Sequence, residues 1–222
     1  MFRSIRPYAL EAGIEDPVIC YQGAVVAEPV SGRWLRHEPI PLELAREAIA
    51  AVSDEGFGMN CYVGDQLYVA EVTPEARRYA DFQHLELHPV GDLLRWLRDP
   101  PTKLVVIDDP EVLDHLKQRL LGCFDRRLYI SKSLPYFLEL AAPGVTKAAG
   151  LDFLSEHLGF TRDGTVAFGD GENDIELVDW AGYGVAVENA HEHVKEVADL
   201  VCPSVDDEGV AQVLEAYLHS GA

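Results

Sequence analysis

The run Gly169-Asp170-Gly171-Glu172-Asn173-Asp174 follows a short apolar stretch, Thr165-Val166-Ala167-Phe168, and is the segment best equipped for chemistry. In doubly wound α/β sheets, ligands bind just beyond the carboxyl ends of the strands, where this run falls. Its glycines permit a sharp turn. Asp170 and Asp174 are four residues apart, so a turn entering a helix can bring both carboxylates to one side. Two carboxylates with water filling the remaining positions suit Mg²⁺. The same residues also suit the start of a helix, and spacing alone leaves both readings open. Other motifs fail. A calcium loop needs glycine at its sixth place and glutamate at its twelfth, where Ile175 and Ala181 stand. A dinucleotide fingerprint needs a small third residue and meets Asp174. There is no Gly-Lys-Ser/Thr.

The elements that must position this run alternate. A helix from Thr146 to Leu158, stopped by Gly159, precedes the Thr165–Phe168 strand. A helix Ile175–Trp180, a strand Gly184–Val187, a helix His191–Ala198, a strand Leu200–Cys202 and a helix Val210–His219 come after it. This is an α/β pattern. Upstream, a helix Arg6–Ala12 leads to the strand Val18–Tyr21 and a hairpin through Ala24–Val26 and Trp34–His37. The middle reads differently: a helix Pro41–Ala51, strands Gly58–Val63 and Gln66–Val69 joined by Gly64-Asp65, a helix Pro74–Asp81, a strand Lys103–Ile107, a helix Pro110–Leu121, and strands Arg127–Ile130 and Tyr136–Leu140. Short helices between hairpins predict a small α+β module. Its aromatic residues Tyr62, Tyr68, Trp96 and Tyr129 read better as module core than as pocket lining.

Composition narrows the function. The 222 residues carry 38 acidic and 18 basic side chains, a formal charge of −20. Such a surface repels nucleic acid and anionic membranes, and no basic patch offsets it. No apolar run is long enough to span a bilayer, and the opening Met1–Pro7 does not read as a signal peptide. Cys20, Cys61, Cys123 and Cys202 form no Cys-x-x-Cys pair, so buried reduced thiols in a cytoplasmic protein are expected. His191 and His193 match no zinc motif and read as exposed helix residues.

The segments Thr146-Lys147, Phe168 to Ile175, Gly184-Val185-Ala186-Val187-Glu188-Asn189-Ala190 and Asp206 to Ala211 together resemble the Cof-type (class IIB) branch of the haloacid dehalogenase superfamily. Ile19 to Ala24 and Pro135 to Leu140 look like the same family, so the likeness spans essentially the whole chain. The resemblance implies an α/β fold with a Rossmann-like core and an inserted α+β (C2B-type) cap. Residues 1–40 and 143–222 would be core and 41–142 cap. It also implies a Mg²⁺-dependent phosphatase acting on a small phosphorylated substrate. Lys147 matches the lysine that steadies the nucleophile and the transferring phosphoryl group. Asp170 and Asp174 match the metal-side carboxylates, and Asn173 a phosphate or substrate contact.

One part of the family pattern has no counterpart. The nucleophile belongs to an Asp-x-Asp-Gly-Thr motif, whose first aspartate forms an aspartyl phosphate and whose second acts as acid and base. This sequence has no such motif; Asp108-Asp109 and Asp163-Gly164-Thr165 lie in the wrong places. Met1 to Tyr8 resembles the stretch immediately after the family's second motif, Thr-Gly-Arg, and Gln22 stands where Asn is usual. The resemblance therefore implies that the amino-terminal βαβ unit of the core is missing, leaving strand edges bare and the chain poorly stable and inactive alone. Two alternatives remain: a non-catalytic binding or regulatory module, or a fragment completed by strands from another chain.

Overall fold

The computed structural model describes residues 1–219, which fall into two compact units, the first Met1–Val145 and the second beginning at Thr146.

In the first unit, α1 (Phe2–Glu11) precedes β1 (Val18–Cys20), β2 (Val25–Ala27) and β3 (Trp34–His37), which form an antiparallel sheet in the order β1-β2-β3. Then come α2 (Leu42–Asp54), β4 (Asn60–Val63), β5 (Gln66–Val69), α3 (Pro74–Gln83), β6 (Leu87–Pro89), α4 (Leu93–Trp96), β7 (Lys103–Ile107), α5 (Pro110–Phe124), β8 (Tyr129–Leu134) and β9 (Phe137–Ala141). The second sheet runs β6-β5-β4-β7-β9-β8. Local chemistry explains several of these elements. Gly64 and Asp65 both take positive φ, 57° and 62°, the tight turn that matches the twist of β4 and β5. Thr73 accepts from the Ala76 amide at 3.1 Å and Pro74 opens α3. α5 buries Leu113, Leu116, Leu120 and Phe124, a stripe at helical spacing.

Register decides which side chains share a face of the larger sheet. Leu104 lies opposite Leu140, and Val106 opposite Leu138, and all four are fully buried. The alternate residues point to the other face: Tyr62 opposite Lys103, and Val105 opposite Glu139. Tyr62 is buried as expected; Tyr68, Trp96 and Tyr129 are half-buried, with the Tyr68 and Trp96 rings 4.3 Å apart.

In the second unit α6 (Lys147–Leu158), β10 (Val166–Gly169), α7 (Ile175–Trp180), β11 (Tyr183–Val187), α8 (Glu192–Val197), β12 (Leu200–Cys202) and α9 (Gly209–His219) build a parallel sheet in the order β10-β11-β12. The strand–helix–strand alternation of a Rossmann-like α/β layer is present as the sequence implies. Thr146 caps α6 through the Ala149 amide, and Gly159 ends it with φ 77°. Among the described residues β10 pairs only with β11, and β1 only with β2, so both are edge strands. The element types expected from sequence are present with ends shifted by a few residues; β6 and α4 are additions that the sequence does not signal, being too short for a period to register. No helix of the described residues is long and apolar enough to cross a membrane.

Candidate phosphoryl and metal site at the end of β10

β10 ends at Gly169, and the chain turns through a single 3₁₀ turn, Glu172–Asp174, into α7. The turn is close-packed. A Cβ on Gly169 would lie 2.7 Å from both the Cβ of Asp174 and Cγ2 of Val178, so only glycine lets Asp174 fold back against the strand end.

Asp174 is the organising group. It is 4% exposed. Its Oδ2 accepts from the backbone amides of Asp170 (3.2 Å) and Gly171 (3.1 Å), and its Oδ1 accepts from Lys147 Nζ. Asp174 thus ties down its own loop and makes no side-chain cap on α7. Through the Gly171 amide the same carboxylate closes a capping box on the 3₁₀ turn, so the helix-start reading of the Asp170/Asp174 spacing and the Lys147 contact are both present. Lys147 reaches it because Thr146 fixes the start of α6, making Lys147 the first helical residue.

Asp170 reaches solvent beside it. Partial desolvation, then the neighbouring Asp174 charge, hold its carboxyl above the usual carboxylate range, with Lys147 opposing. Its backbone carbonyl accepts from the His191 amide at 2.9 Å, joining this loop to the one after β11. Asn173 lies in the 3₁₀ turn and is 5% exposed. Lys147, Asp170, Asn173 and Asp174, each singled out in the sequence, therefore belong to one loop and the helix start facing it. His191 and His193 are exposed, as expected.

Among the described residues no three His, Cys, Asp or Glu side chains converge as a ready-made metal cluster. Mg²⁺ does not require one: it is commonly held by one or two carboxylates, with water and substrate oxygens completing the shell. Asp170, open to solvent, and Asp174 stand on one loop as hard carboxylate oxygen donors, the donor set that Mg²⁺ takes, so these residues fit the ion.

A second polar assembly, inside the first unit, gives little sign of itself in the sequence. Lys103 and Glu139, both 4% exposed, are paired at 2.9 Å. Glu139 also accepts from Ser133 Oγ and Gln22 Nε2, each at 2.7 Å. Burial is the largest single influence on each and works against both charges, but the partner charge and the surrounding hydrogen bonds together outweigh it: Glu139 is held below its ordinary value and Lys103 above its own. Gln22 sits in a turn where Tyr21, Gln22 and Gly23 all take positive φ, and Tyr21 donates to Asp65 at 2.5 Å. The only sequence signal is a lysine opening an apolar strand run and a glutamate inside another.

Known proteins place this arrangement. A model of the haloacid dehalogenase-like hydrolase family matches residues 1–214. A 5-amino-6-(5-phospho-D-ribitylamino)uracil phosphatase of Bacillus subtilis (strain 168), YitU, is 26% identical over 229 residues, covering 97% of this chain and 81% of the relative. The crystal structure of a haloacid dehalogenase-like hydrolase from Bacteroides thetaiotaomicron is 27% identical with a TM-score of 0.82, covering 96% of this chain and 82% of that one. A subclass IIB sugar phosphatase, BT4131, shares the fold at 22% identity and a TM-score of 0.83, over 95% of this chain and 79% of its own. The chain belongs to the haloacid dehalogenase-like hydrolases.

Proposed function

We propose that this chain carries the metal and phosphate side of a Mg²⁺-dependent phosphomonoester hydrolase that works through an aspartyl phosphate. The observation that supports this is Lys147 Nζ resting on the Asp174 carboxylate, with Asp170 beside it, on the loop that closes β10. In this reading residues 1–40 and 143–222 form the core and residues 41–142 the cap.

Lys147 is pinned by its partner rather than free to sample solvent, so its ammonium is oriented in advance toward phosphoryl oxygens. Asp170 and Asp174 would hold Mg²⁺, which when bound supplies positive charge to offset the substrate's phosphate. Asn173, at the buried turn, contacts phosphate or substrate. A chain of net charge −20 needs such local positive charge to admit an anion at all. The substrate is a small phosphorylated metabolite, the class that the name of the Bacillus subtilis relative also specifies for that protein. The four cysteines are unpaired, in keeping with a reducing, cytoplasmic setting.

The aspartate that would attack phosphorus is not encoded in these residues, so this chain alone binds without turning over. The test is Mg²⁺ titration followed by a phosphatase panel. Mg²⁺ binding that is lost in Asp170→Asn, with no hydrolysis, is expected. Robust Mg²⁺-dependent hydrolysis by this chain overturns the inactivity, and unaltered Mg²⁺ binding in Asp170→Asn overturns the metal assignment.

A further inference from the structure

A cleft of roughly 980 Å³ lies wholly within the first unit, at the end of the larger sheet where β4 and β9 begin and β5 and β7 finish. Two features distinguish it from an ordinary surface groove. The first is an unpartnered donor. Asn60 lines the cleft and is 4% exposed, yet its Nδ2 has no hydrogen-bond partner among the described residues. Leaving a buried amide donor unmade is costly, and such groups call for an explanation. Position accounts for it: Asn60 lies opposite Val105 and Val69, whose side chains offer no acceptor.

The second is an aromatic wall under an acidic rim. Phe137 is met nearly perpendicularly by Tyr79, at 4.9 Å and 88°, and by Tyr136, at 4.7 Å and 87°. Phe82 stands 6.2 Å from the same ring. Phe82 and Tyr136 remain 60% and 46% exposed at the cleft, large aromatic surface that the fold leaves uncovered. The rim charges do not cancel. Arg78 is taken up by Glu75 at 3.1 Å. Glu71, Asp108 and Asp109 make no ion pair among the described residues; Asp108 only accepts from the Asp109 amide.

These features select one class of ligand. An anion is repelled by the rim, so the phosphate of a phosphomonoester is excluded here. A neutral apolar molecule would use the rings and gain nothing from the carboxylates. An organic ammonium ion uses both: its charge lies over ring faces and near the carboxylates, and a hydroxyl or carbonyl oxygen elsewhere in the molecule accepts from Asn60 Nδ2. We propose that this cleft binds a small organic ammonium ion carrying a hydrogen-bond acceptor. The inference rests on residues 56–137 alone and stands apart from the phosphoryl chemistry assigned to the loop after β10.

The test uses the whole chain with choline as probe, because choline joins a quaternary ammonium to a hydroxyl. Its uncharged carbon isostere, with tert-butyl in place of trimethylammonium, and inorganic phosphate serve as controls, with NMR of the Asn60 side-chain amide and of the Phe82 and Tyr136 rings as the readout. Saturable shifts with choline are expected, about tenfold tighter than with the isostere, weakening as salt is raised. The double variant Asp108→Asn/Asp109→Asn should lose most of that preference, and Phe82→Ala, an exposed position, should weaken choline without unfolding the chain. The proposal is overturned by the absence of saturable choline shifts, by equal affinity for the isostere, by phosphate shifting the same resonances, or by indifference to both variants.

Discussion

Replacing Lys103 with methionine removes the ammonium from a carboxylate that has nowhere to go. Glu139 stays 4% exposed and keeps only Ser133 Oγ and Gln22 Nε2 as donors. Breaking one side of a buried ion pair costs ~3–5 kcal/mol. Two surviving neutral hydrogen bonds, worth ~1 kcal/mol each, place the expected loss near the lower end of that range. Methionine keeps the stem that packs between Tyr21 and Tyr62, whose ring centroids lie 5.9 and 5.5 Å from Nζ, so the loss reports charge rather than a cavity. The pH dependence separates this from a packing defect. In the native chain the folded Glu139 is held below its unfolded value of about 4.3. Its contribution is therefore present above that pH and fades as pH falls through the folded value. Without Lys103, burial dominates and Glu139 binds a proton on folding, so the gap between variant and wild type should narrow as pH is lowered from about 7 toward 4. Urea unfolding read through Trp34, whose ring is 6.4 Å from Tyr21, measures both. The double variant Lys103→Met/Glu139→Leu should recover much of the loss. A penalty below about 1 kcal/mol at neutral pH, or one that does not change with pH, would refute a charged buried pair.

Other expectations rest on single contacts. Gly169→Ala sets a methyl 2.7 Å from Asp174 Cβ and Val178 Cγ2, so it should cost ~1–3 kcal/mol in the second unit, visible in Trp180 fluorescence on heating and partly relieved by Val178→Ala; an unchanged melting temperature would count against the packing described. Burial pushes the Cys20 and Cys61 thiols up to about 12 and raises Cys202, while Cys123 is exposed, so a disulfide reagent near neutral pH should label Cys123 first, and Cys123→Ser should abolish the fast phase. Lys147→Ala should weaken inorganic phosphate binding about tenfold or more while the chain stays folded, read by phosphorus NMR; equal binding would remove Lys147 from the phosphate site.

The difference between what the sequence discloses and what it hides is one of distance along the chain. Asp170, Asn173 and Asp174 lie within one turn, so residue type and short spacing already bring them near each other, whereas Lys147, 27 residues from Asp174, is joined to them in the sequence only by the family resemblance. The Gly64-Asp65 turn and the stripe on α5 are legible for the same reason. Lys103 and Glu139 are 36 residues apart and meet because β7 pairs with β9 in one register. A slip of a single residue would send either side chain to the opposite face. Alternation says which residues share a face, but it does not say that Tyr21, Gln22 and the β1–β2 turn will cover that face and make a lysine internal. Asn60 is hidden likewise: beside Cys61 and Tyr62 it reads as one polar residue at a strand start, and only its neighbours on β5 and β7 strand its donor. Chemistry gathered within a turn can be read from residue types, whereas chemistry gathered across strands depends on pairing, so the buried ion pair and the acidic cleft emerge only once the register is known.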